Sequence, residues 1–182
     1  RVHDRRGQLP DMISIEERPA EVADRTVPGH WEGDLLMGRR SASALGTLVE
    51  RTTRTTLLVP LRAKDAPSVR RAFARELRTL PQQMRRSLTY DRGKEMAEHR
   101  LFTETTGIRV YFAHPQSPWE RGTNENTNGL LRQFFPKRTD FSIVSRREIK
   151  HVQNLMNGRP RKVLNWRTPS EAFYGLPVAL GT

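Results

Sequence analysis

Residues 30–37 have the sequence His30-Trp31-Glu32-Gly33-Asp34-Leu35-Leu36-Met37. Their apolar and aromatic content predicts a β-strand, in which Trp31 and Gly33 share one face while Glu32 and Asp34 share the other. An aspartate is disfavoured inside a strand, and a half-buried carboxylate needs a partner such as a metal ion, a cation or several hydrogen-bond donors. The alternative for Asp34 is an edge-strand charge that faces water. Glu32 lies on the same face, so the strand alone leaves open which acid would be a ligand.

The segments around this strand predict an α/β fold. Two more short segments rich in Leu, Val and Thr, residues 44–50 and 55–61, follow across turn-like stretches, as in an antiparallel meander. Further on, the pattern predicts a helix at about 66–80, a strand at 86–90, a helix at about 95–105, a strand at 108–112, a helix ending before Pro136, a helix at about 145–156 and a last short helix capped by Thr168. Three antiparallel strands followed by alternating helices and strands give a mixed sheet with helices on both faces.

The first 28 residues differ from the rest of the chain. They mix charges with prolines and show no clear period, so we expect an extended N-terminal arm over residues 1–28, with a short helix from Pro19 to Asp24. We assign residues 29–182 to a single core domain, which is long enough to bury a hydrophobic interior.

The charge balance favours a polyanionic partner. The chain has 182 residues, 32 basic and 20 acidic, for a formal net charge of +12, and most of the basic residues are arginine, whose planar fork suits phosphate oxygens. A genome rich in G and C would also raise the arginine content, but it would not leave the acids so outnumbered. No apolar run is long enough to cross a bilayer, so we expect no membrane. The absence of cysteine excludes disulfides and thiolate nucleophiles and is compatible with a reducing cytosol.

A second acid, Asp91, directly follows the predicted strand at 86–90. The carboxyl ends of strands are where open α/β sheets place their sites. The alternative is a turn aspartate that bonds its own backbone, which is common in the pattern Asp-x-Gly. Asp91 alone therefore does not distinguish a functional site from an ordinary turn.

Glu125 is the most informative acid. On a helical wheel the apolar side chains cluster opposite Glu125, and its own face carries Arg121, Asn128 and Arg132 together with two glycines. This polar, small and basic face suits the close approach of a phosphate backbone, whereas Asn, Thr and Gly are poor choices for an ordinary solvated helix. The start of the helix stays open between a capping box at Ser117–Glu120 and a start near Thr123.

Three carboxylates that converge would suit a particular chemistry. Oxygen ligands favour magnesium or manganese. Two such ions clamp the attacking and leaving oxygens of an in-line displacement at phosphorus. The five histidines are scattered and form no metal-binding run.

Several stretches resemble those of one known family. They are Gly29-His30-Trp31-Glu32-Gly33-Asp34, Asp91-Arg92-Gly93-Lys94-Glu95, the long block from Ser117-Pro118-Trp119-Glu120-Arg121-Gly122-Thr123-Asn124-Glu125 to Asn126-Thr127-Asn128-Gly129-Leu130, and the later Asn157-x-Arg159-Pro160-Arg161-Lys162 with Thr168-Pro169-x-Glu171. Together they resemble the insertion-sequence transposases, most closely the insertion-sequence-thirty family, over nearly all of residues 15–175.

The resemblance implies an RNase H-like fold and the integrase-type catalytic core of a DDE transposase. It implies a triad of Asp34, chosen over Glu32, with Asp91 and Glu125, which would hold two Mg²⁺ or Mn²⁺ ions for cleavage and strand transfer at the ends of a transposable element. The implied partner is double-stranded DNA, both element ends and target. We expect a homo-oligomer when the protein is assembled on DNA, and a location in the bacterial cytoplasm at the nucleoid.

The resemblance also implies a DNA-contacting surface, most of it contacting phosphate rather than bases. Its members are basic or amide side chains: Arg121, Asn124, Asn128, Arg132, Lys137, Arg138, Arg159, Arg161 and Lys162. For any one of them the alternative is an ordinary solvated side chain.

Two other functions compete with the transposase. A hydrolytic RNase H-like nuclease would use the same metal ions with water as its only nucleophile. A catalytically silent DNA-binding module would bind no metal, and its activities would not depend on the three acids.

Overall fold

The computed structural model describes residues 9–175, which form a six-stranded sheet with helices on both faces. The elements in chain order are β1 (Ile13–Ser14), α1 (Glu21–Asp24), β2 (His30–Met37), β3 (Ala44–Glu50), β4 (Thr56–Pro60), α2 (Ala66–Leu77), β5 (Ser87–Tyr90), α3 (His99–Thr106), β6 (Arg109–Phe112), α4 (Gly122–Leu131), α5 (Arg146–Asn157) and α6 (Pro169–Tyr174). The α/β class and the predicted order of the elements from residue 30 onwards are confirmed.

The sheet is mixed, with the order β1-β6-β5-β2-β3-β4. The strands β2, β3 and β4 pair antiparallel, as the meander predicted, whereas β2, β5, β6 and β1 pair parallel. The parallel register places Glu32 beside Thr89. Two residues further along both strands, Asp34 and Asp91 therefore come to the same end of the sheet.

Two hydrophobic clusters cover the two faces. On one face α2 and α3 pack over Trp31, Leu48 and Leu88. On the other, α4 and α5 pack over Leu36 and Leu45. The alternation predicted for the first strand is confirmed, because Trp31 lies in one cluster and Leu36 in the other. Glu32 and Asp34 lie on the Leu36 face, under α4.

Side-chain caps fix several helix ends where the sequence predicted them. The Asp65 carboxylate accepts from the backbone N–H of Ser68 at the start of α2, and Ser145 caps α5 in the same way. Thr168 and Glu171 form the expected capping box of α6. These caps satisfy N–H groups that the first turn of a helix leaves without partners.

Residues 9–28 differ from the expected extended arm. They add β1 to the sheet edge beside β6, and Leu9 is buried in the cluster that contains Trp31. His99 also hydrogen bonds the Pro10 carbonyl over 2.9 Å. This stretch is therefore part of the packed fold, through contacts with residues far along the chain that its own sequence pattern does not show. The rest of the predicted arm, residues 1–8, lies outside the described residues.

Beneath α4, an ion pair is buried between Glu32 and Arg51. Glu32 is fully buried and Arg51 is 5% exposed. One carboxylate oxygen of Glu32 accepts from Arg51, and the other accepts from the backbone N–H of Asn124 in α4 over 2.8 Å. Both oxygens thus have donors, as a buried charge requires.

None of the helices within residues 9–175 has the length and apolarity that a membrane crossing requires.

We expect Glu32→Gln to lower the free energy of unfolding by about 3 kcal/mol, because it leaves the buried guanidinium of Arg51 without its counter-charge. The measurement is urea unfolding followed by circular dichroism. The matched control is Glu104→Gln in α3, an exposed glutamate for which a change within about 0.5 kcal/mol is expected. Equal stability of the two variants would show that the pair contributes nothing.

Candidate active site

Asp34 and Asp91 meet at one cationic side chain. The guanidinium of Arg121 lies between them, with Nη1 3.6 Å from Asp34 Oδ2 and Nη2 3.2 Å from Asp91 Oδ2. Arg121 Nη1 also donates to the Gly33 carbonyl over 3.1 Å. Two acids from neighbouring parallel strands are thus joined by a residue that precedes α4 directly.

Asp34 is held by donors on both carboxylate oxygens. Its Oδ1 accepts from the backbone N–H of Leu35 over 2.8 Å, and its Oδ2 accepts from the side-chain amide of Asn128 over 3.1 Å. Burial raises the pKa of Asp34, and the charge of Asp91 adds to the rise, whereas Arg121 and the Leu35 N–H oppose it. The edge-strand alternative does not apply, because β2 lies inside the sheet between β3 and β5.

Asp91 makes the turn interaction that the alternative reading expected, and it also reaches the site. Its Oδ1 accepts from the backbone N–H of Gly93 over 2.9 Å. Its Oδ2 faces Arg121, and the side chain remains 42% exposed. The turn therefore orients the carboxylate and leaves the second oxygen accessible.

The floor of the site is a close contact between β2 and a tyrosine. Tyr90 is fully buried, and a Cβ added at Gly33 would lie 2.8 Å from its ring. A side chain at position 33 would therefore require the Tyr90 ring or the strand that carries Asp34 to move.

One acid near the site was missed by the sequence reasoning. Glu95 accepts a hydrogen bond from the Tyr90 hydroxyl over 3.4 Å. Burial raises the pKa of Glu95, and Asp91 adds to the rise. The only available signal was its position in the stretch Asp91–Glu95 that resembles the family.

Glu125 does not join the two aspartates in the structure. It lies on the exposed side of α4, one turn after Arg121. Within residues 9–175 no three His, Cys, Asp or Glu side chains lie close enough together to hold a metal ion. The structure therefore brings together Asp34, Asp91, Arg121 and Asn128, and leaves Glu125 on the surface beside them.

The start of α4 agrees with the alternative near Thr123, whereas the capping box expected at Ser117–Glu120 does not form, because the Ser117 side chain makes no capping hydrogen bond and Glu120 binds His114. A 3-10 turn covers Pro118–Arg121 and the α-helix runs from Gly122 to Leu131. Cβ atoms added at Gly122 and Gly129 would meet nothing within 4 Å. No neighbouring atom therefore requires glycine at these two positions. Both glycines lie beside open space on the surface of α4.

Asn124 is placed differently from its predicted position on a DNA-contacting surface. Its side chain is fully buried, and its amide donates to the Glu32 carbonyl over 2.9 Å. Its side-chain oxygen accepts from the Thr47 hydroxyl over 3.3 Å. Asn124 therefore ties α4 to the sheet and cannot face DNA in this arrangement. Glu32, likewise, is occupied by Arg51 and Asn124 rather than facing Asp91.

Arg132 is also bound within the chain. Its guanidinium donates to the Met37 carbonyl over 2.9 Å and to the Phe135 carbonyl over 3.3 Å. Asn128 is only partly bound within the chain. Its amide N–H donates to Asp34, but its side-chain oxygen is buried without a hydrogen-bond partner among the described residues.

The other basic residues form two separate surfaces. Lys137 and Arg138 are exposed and line a cavity of about 500 Å³ with Arg39 and Arg40. The remaining three, Arg159, Arg161 and Lys162, follow α5. Arg159 lies 5.9 Å from the centre of the Phe134 ring, Lys162 is exposed, and Arg161 is partly buried against the Met156 carbonyl.

Residues 24–118 match the model of a family described as the integrase core domain. The matched range contains Asp34 and Asp91 and ends before Glu125. The fold is also similar to a chain of a simian T-cell lymphotropic virus intasome solved in complex with PP2A regulatory subunit B56 gamma, with a TM-score of 0.67, 16% identity, and coverage of 84% of this chain and 56% of that one. The expected RNase H-like fold is confirmed.

Curated relatives extend the similarity over most of the chain. The transposase of insertion sequence element IS1086 from Cupriavidus metallidurans is 54% identical over 93% of this chain and 50% of its own length. The transposase InsI of element IS30A from Escherichia coli is 47% identical over 94% of this chain and 46% of its own. The chain spans about half the length of the curated relatives it matches. The resemblance to the insertion-sequence-thirty family is confirmed.

We expect Arg121→Gln to raise the pKa of Asp34 further, because the positive charge that opposes the rise is removed while Asp91 stays in place. The measurement is a carboxyl NMR titration of Asp34 without added metal. Arg109→Gln, at an exposed arginine of β6, is the control and should leave the pKa unchanged. An unaltered pKa in Arg121→Gln would mean that the guanidinium does not lie between the two aspartates in solution.

Proposed function

The chain belongs to the integrase core domain family, and on that premise we propose that it is the catalytic core of a DNA transposase. In this proposal it cleaves DNA at the ends of an insertion sequence and joins the free 3′-hydroxyl to target DNA. The reaction is a transesterification that depends on divalent metal ions. The substrate is double-stranded DNA, element ends as well as target, and two or more copies of the protein assemble on it, since transposition joins two ends.

One observation carries the proposal: the Oδ2 atoms of Asp34 and Asp91 both face a single cation, the guanidinium of Arg121. Carboxylates on neighbouring strands repel each other unless a positive charge lies between them. Their oxygens are the donors that Mg²⁺ and Mn²⁺ prefer, since these ions take only a few carboxylates and keep several waters. The two aspartates therefore fit a divalent cation.

We assign Asp34, Asp91 and Glu125 as the residues that would hold two such ions. Bound there, the ions would supply activation of a water or a DNA 3′-hydroxyl and stabilisation of the leaving oxygen. Glu125 lies on the exposed side of α4, one turn from Arg121, so its carboxylate is on the surface where DNA would arrive.

The chain's own residues would orient the acids and bind the DNA backbone. Asn128 holds one oxygen of Asp34, and the turn at Gly93 holds one oxygen of Asp91. Arg121 offsets part of the negative charge of the two acids in the structure and would contact a phosphate once another cation takes its place. Exposed Lys137 and Arg138 are placed to contact phosphates without reading bases.

Among the other residues predicted to contact DNA, we keep Arg159 and Lys162 as proposed phosphate contacts, because both side chains are exposed. We use the word groove for the surface around Asp34, Asp91 and Arg121. Arg132 has its guanidinium bound to the Met37 carbonyl, and we retain it only as a positive charge near the groove. Asn124 is not retained because its side chain is fully buried.

We expect Asp91→Asn and Asp34→Asn to reduce strand transfer by about a thousandfold, because each removes a ligand from ions that contribute several kcal/mol to transition-state stabilisation. The measurement is the joining of a labelled oligonucleotide that carries the element end to a target duplex. DNA affinity should stay near that of the wild type. Glu104→Gln serves as the control and should join DNA normally.

Two results would contradict the proposal in different ways. Near-wild-type joining in Asp91→Asn would refute the triad. Hydrolysis without any joined product would favour the nuclease instead. A readout independent of activity is the melting temperature, which Mn²⁺ should raise in the wild type and not in Asp34→Asn.

We expect Gly129→Ala to stabilise the protein by about 0.5–1 kcal/mol, since alanine is favoured over glycine inside a helix and its Cβ meets no neighbour. The same change should weaken DNA binding, because the methyl group occupies surface that the proposed backbone contact uses. Urea unfolding and fluorescence anisotropy measure the two effects. A stabilised variant with unchanged DNA affinity would remove Gly129 from the DNA-binding surface.

A further inference from the structure

A second cavity lies on the flank of α4 that faces away from Asp34. It has a volume of about 470 Å³, and its lining includes Arg25, Arg54, Arg161, Gly122 and Asn126. We call it the arginine pocket, after its three arginines. Successive residues of a helix are turned by about 100°. The flank that carries Gly122 and Asn126 is therefore distinct from the flank on which Arg121 and Asn128 reach Asp34.

The three guanidinium groups of the arginine pocket have few partners among residues 9–175. None of them forms an ion pair with a carboxylate of residues 9–175. Arg54 donates to the Thr123 hydroxyl over 2.7 Å, and Arg161 donates to the Met156 carbonyl over 3.1 Å. The Nε atoms of Arg54 and Arg161 are buried without any hydrogen-bond partner in the described part of the chain.

The nearest acids are already occupied by other donors. Glu32 binds Arg51 and the backbone of Asn124. Glu50 accepts from the backbone N–H groups of residues 29, 52 and 53. Burial lowers the pKa of Arg54, and the charge of Arg25 adds to the effect. Glu32 and Glu50 act on this pKa in the opposite direction, but neither forms an ion pair with an arginine of the pocket, so within residues 9–175 the pocket keeps an excess of positive charge.

The arginine pocket differs from the other arginines of residues 9–175 because it gathers three guanidiniums around one cavity; a single buried Nε atom without a partner also occurs at Arg85. Arg70 pairs with Glu98, and Arg100 pairs with Asp11 at 2.8 Å. On an ordinary solvated surface all guanidinium nitrogens would be hydrated by water. In the pocket, the Nε atoms of Arg54 and Arg161 are buried and have no hydrogen-bond partner among the described residues. Such donors favour an anion with several oxygens, because a guanidinium binds phosphate through two parallel hydrogen bonds.

We propose that the arginine pocket binds a phosphate group of the DNA backbone, outside the groove that holds Asp34 and Asp91. The identity of the polyanion as DNA rests on the proposed function. The exposed ridge between pocket and groove carries Glu125, Asn126 and Gly129. Added Cβ atoms at Gly122 and Gly129 would meet nothing, so α4 offers an open surface that a DNA strand can cross to contact both flanks.

The test compares DNA binding by Arg25→Gln and Arg161→Gln with that of the wild type and of Arg109→Gln. Affinity for a short duplex is measured by fluorescence anisotropy over a series of salt concentrations. We expect each pocket variant to bind about tenfold more weakly and to lose about one unit of the salt slope, as for one lost phosphate contact. Arg109→Gln lies outside the pocket and should match the wild type.

Folding of the variants is checked by circular dichroism and melting temperature. Arg25 makes no side-chain hydrogen bond to residues 9–175, so Arg25→Gln removes charge without breaking an internal contact. Arg161→Gln also removes the bond to the Met156 carbonyl, so a loss of DNA affinity in this variant counts only if its melting temperature is unchanged. Arg54, which binds the buried Thr123 hydroxyl, is left unchanged.

A second arm uses inorganic phosphate against chloride at equal ionic strength, with melting temperature as the readout. If the pocket variants lose stabilisation by phosphate but keep wild-type DNA affinity and salt slope, the pocket holds a free phosphate and the DNA assignment is overturned. If they match Arg109→Gln in both arms, the pocket is not an anion site at all. A wild type that binds DNA through the pocket but joins no strands would refute the proposed function and leave the pocket intact.

Discussion

The arrangement of the candidate site depends on the buried carboxylate of Glu32. It accepts hydrogen bonds from Arg51 and from the backbone of Asn124, and the Asn124 amide returns a bond to the Glu32 carbonyl. Removing a partner from a buried charge costs several kcal/mol. The hydrogen bonds of Glu32 therefore fix the distance of α4 from β2 and the rotation of the helix about its own axis. The rotation in turn decides that Arg121 and Asn128, rather than their neighbours, reach Asp34.

Because α4 is fixed in this way, the charged side chains at this end of the sheet lie on two different flanks of the helix. On one flank Arg121 faces both acids and offsets one of their two negative charges. On the other flank Arg25, Arg54 and Arg161 have no acid among residues 9–175. The excess of basic residues seen in the composition is therefore not spread evenly. Part of it is concentrated where a polyanion could lie across the exposed side of α4.

Local patterns in the sequence predicted most of the strands and helices, because alternation, helical periodicity and capping act between near neighbours. They failed where a contact joins distant parts of the chain. Residues 9–28 were predicted as an arm, yet they pack against β6 and α3. Asn124 was assigned to the DNA-contacting surface through the family resemblance. Here it is fully buried, since a carboxylate and a strand carbonyl beneath the helix provide its partners. Asp34 and Asp91 both face Arg121 and Glu125 lies on the exposed side of α4, while the role of the three acids as metal ligands stays a prediction.

Arg121 connects the metal chemistry of the proposed reaction to DNA binding. In the structure its guanidinium supplies the positive charge that the two aspartates need. A divalent cation between the aspartates would supply the same charge more strongly, and Arg121 would then be free to contact a phosphate on the surface of α4. Metal and DNA would each lower the free energy of binding the other, since linkage between two ligands is reciprocal. A single arginine one turn before Glu125 would therefore make the proposed site bind its ions most tightly when the substrate is already in place.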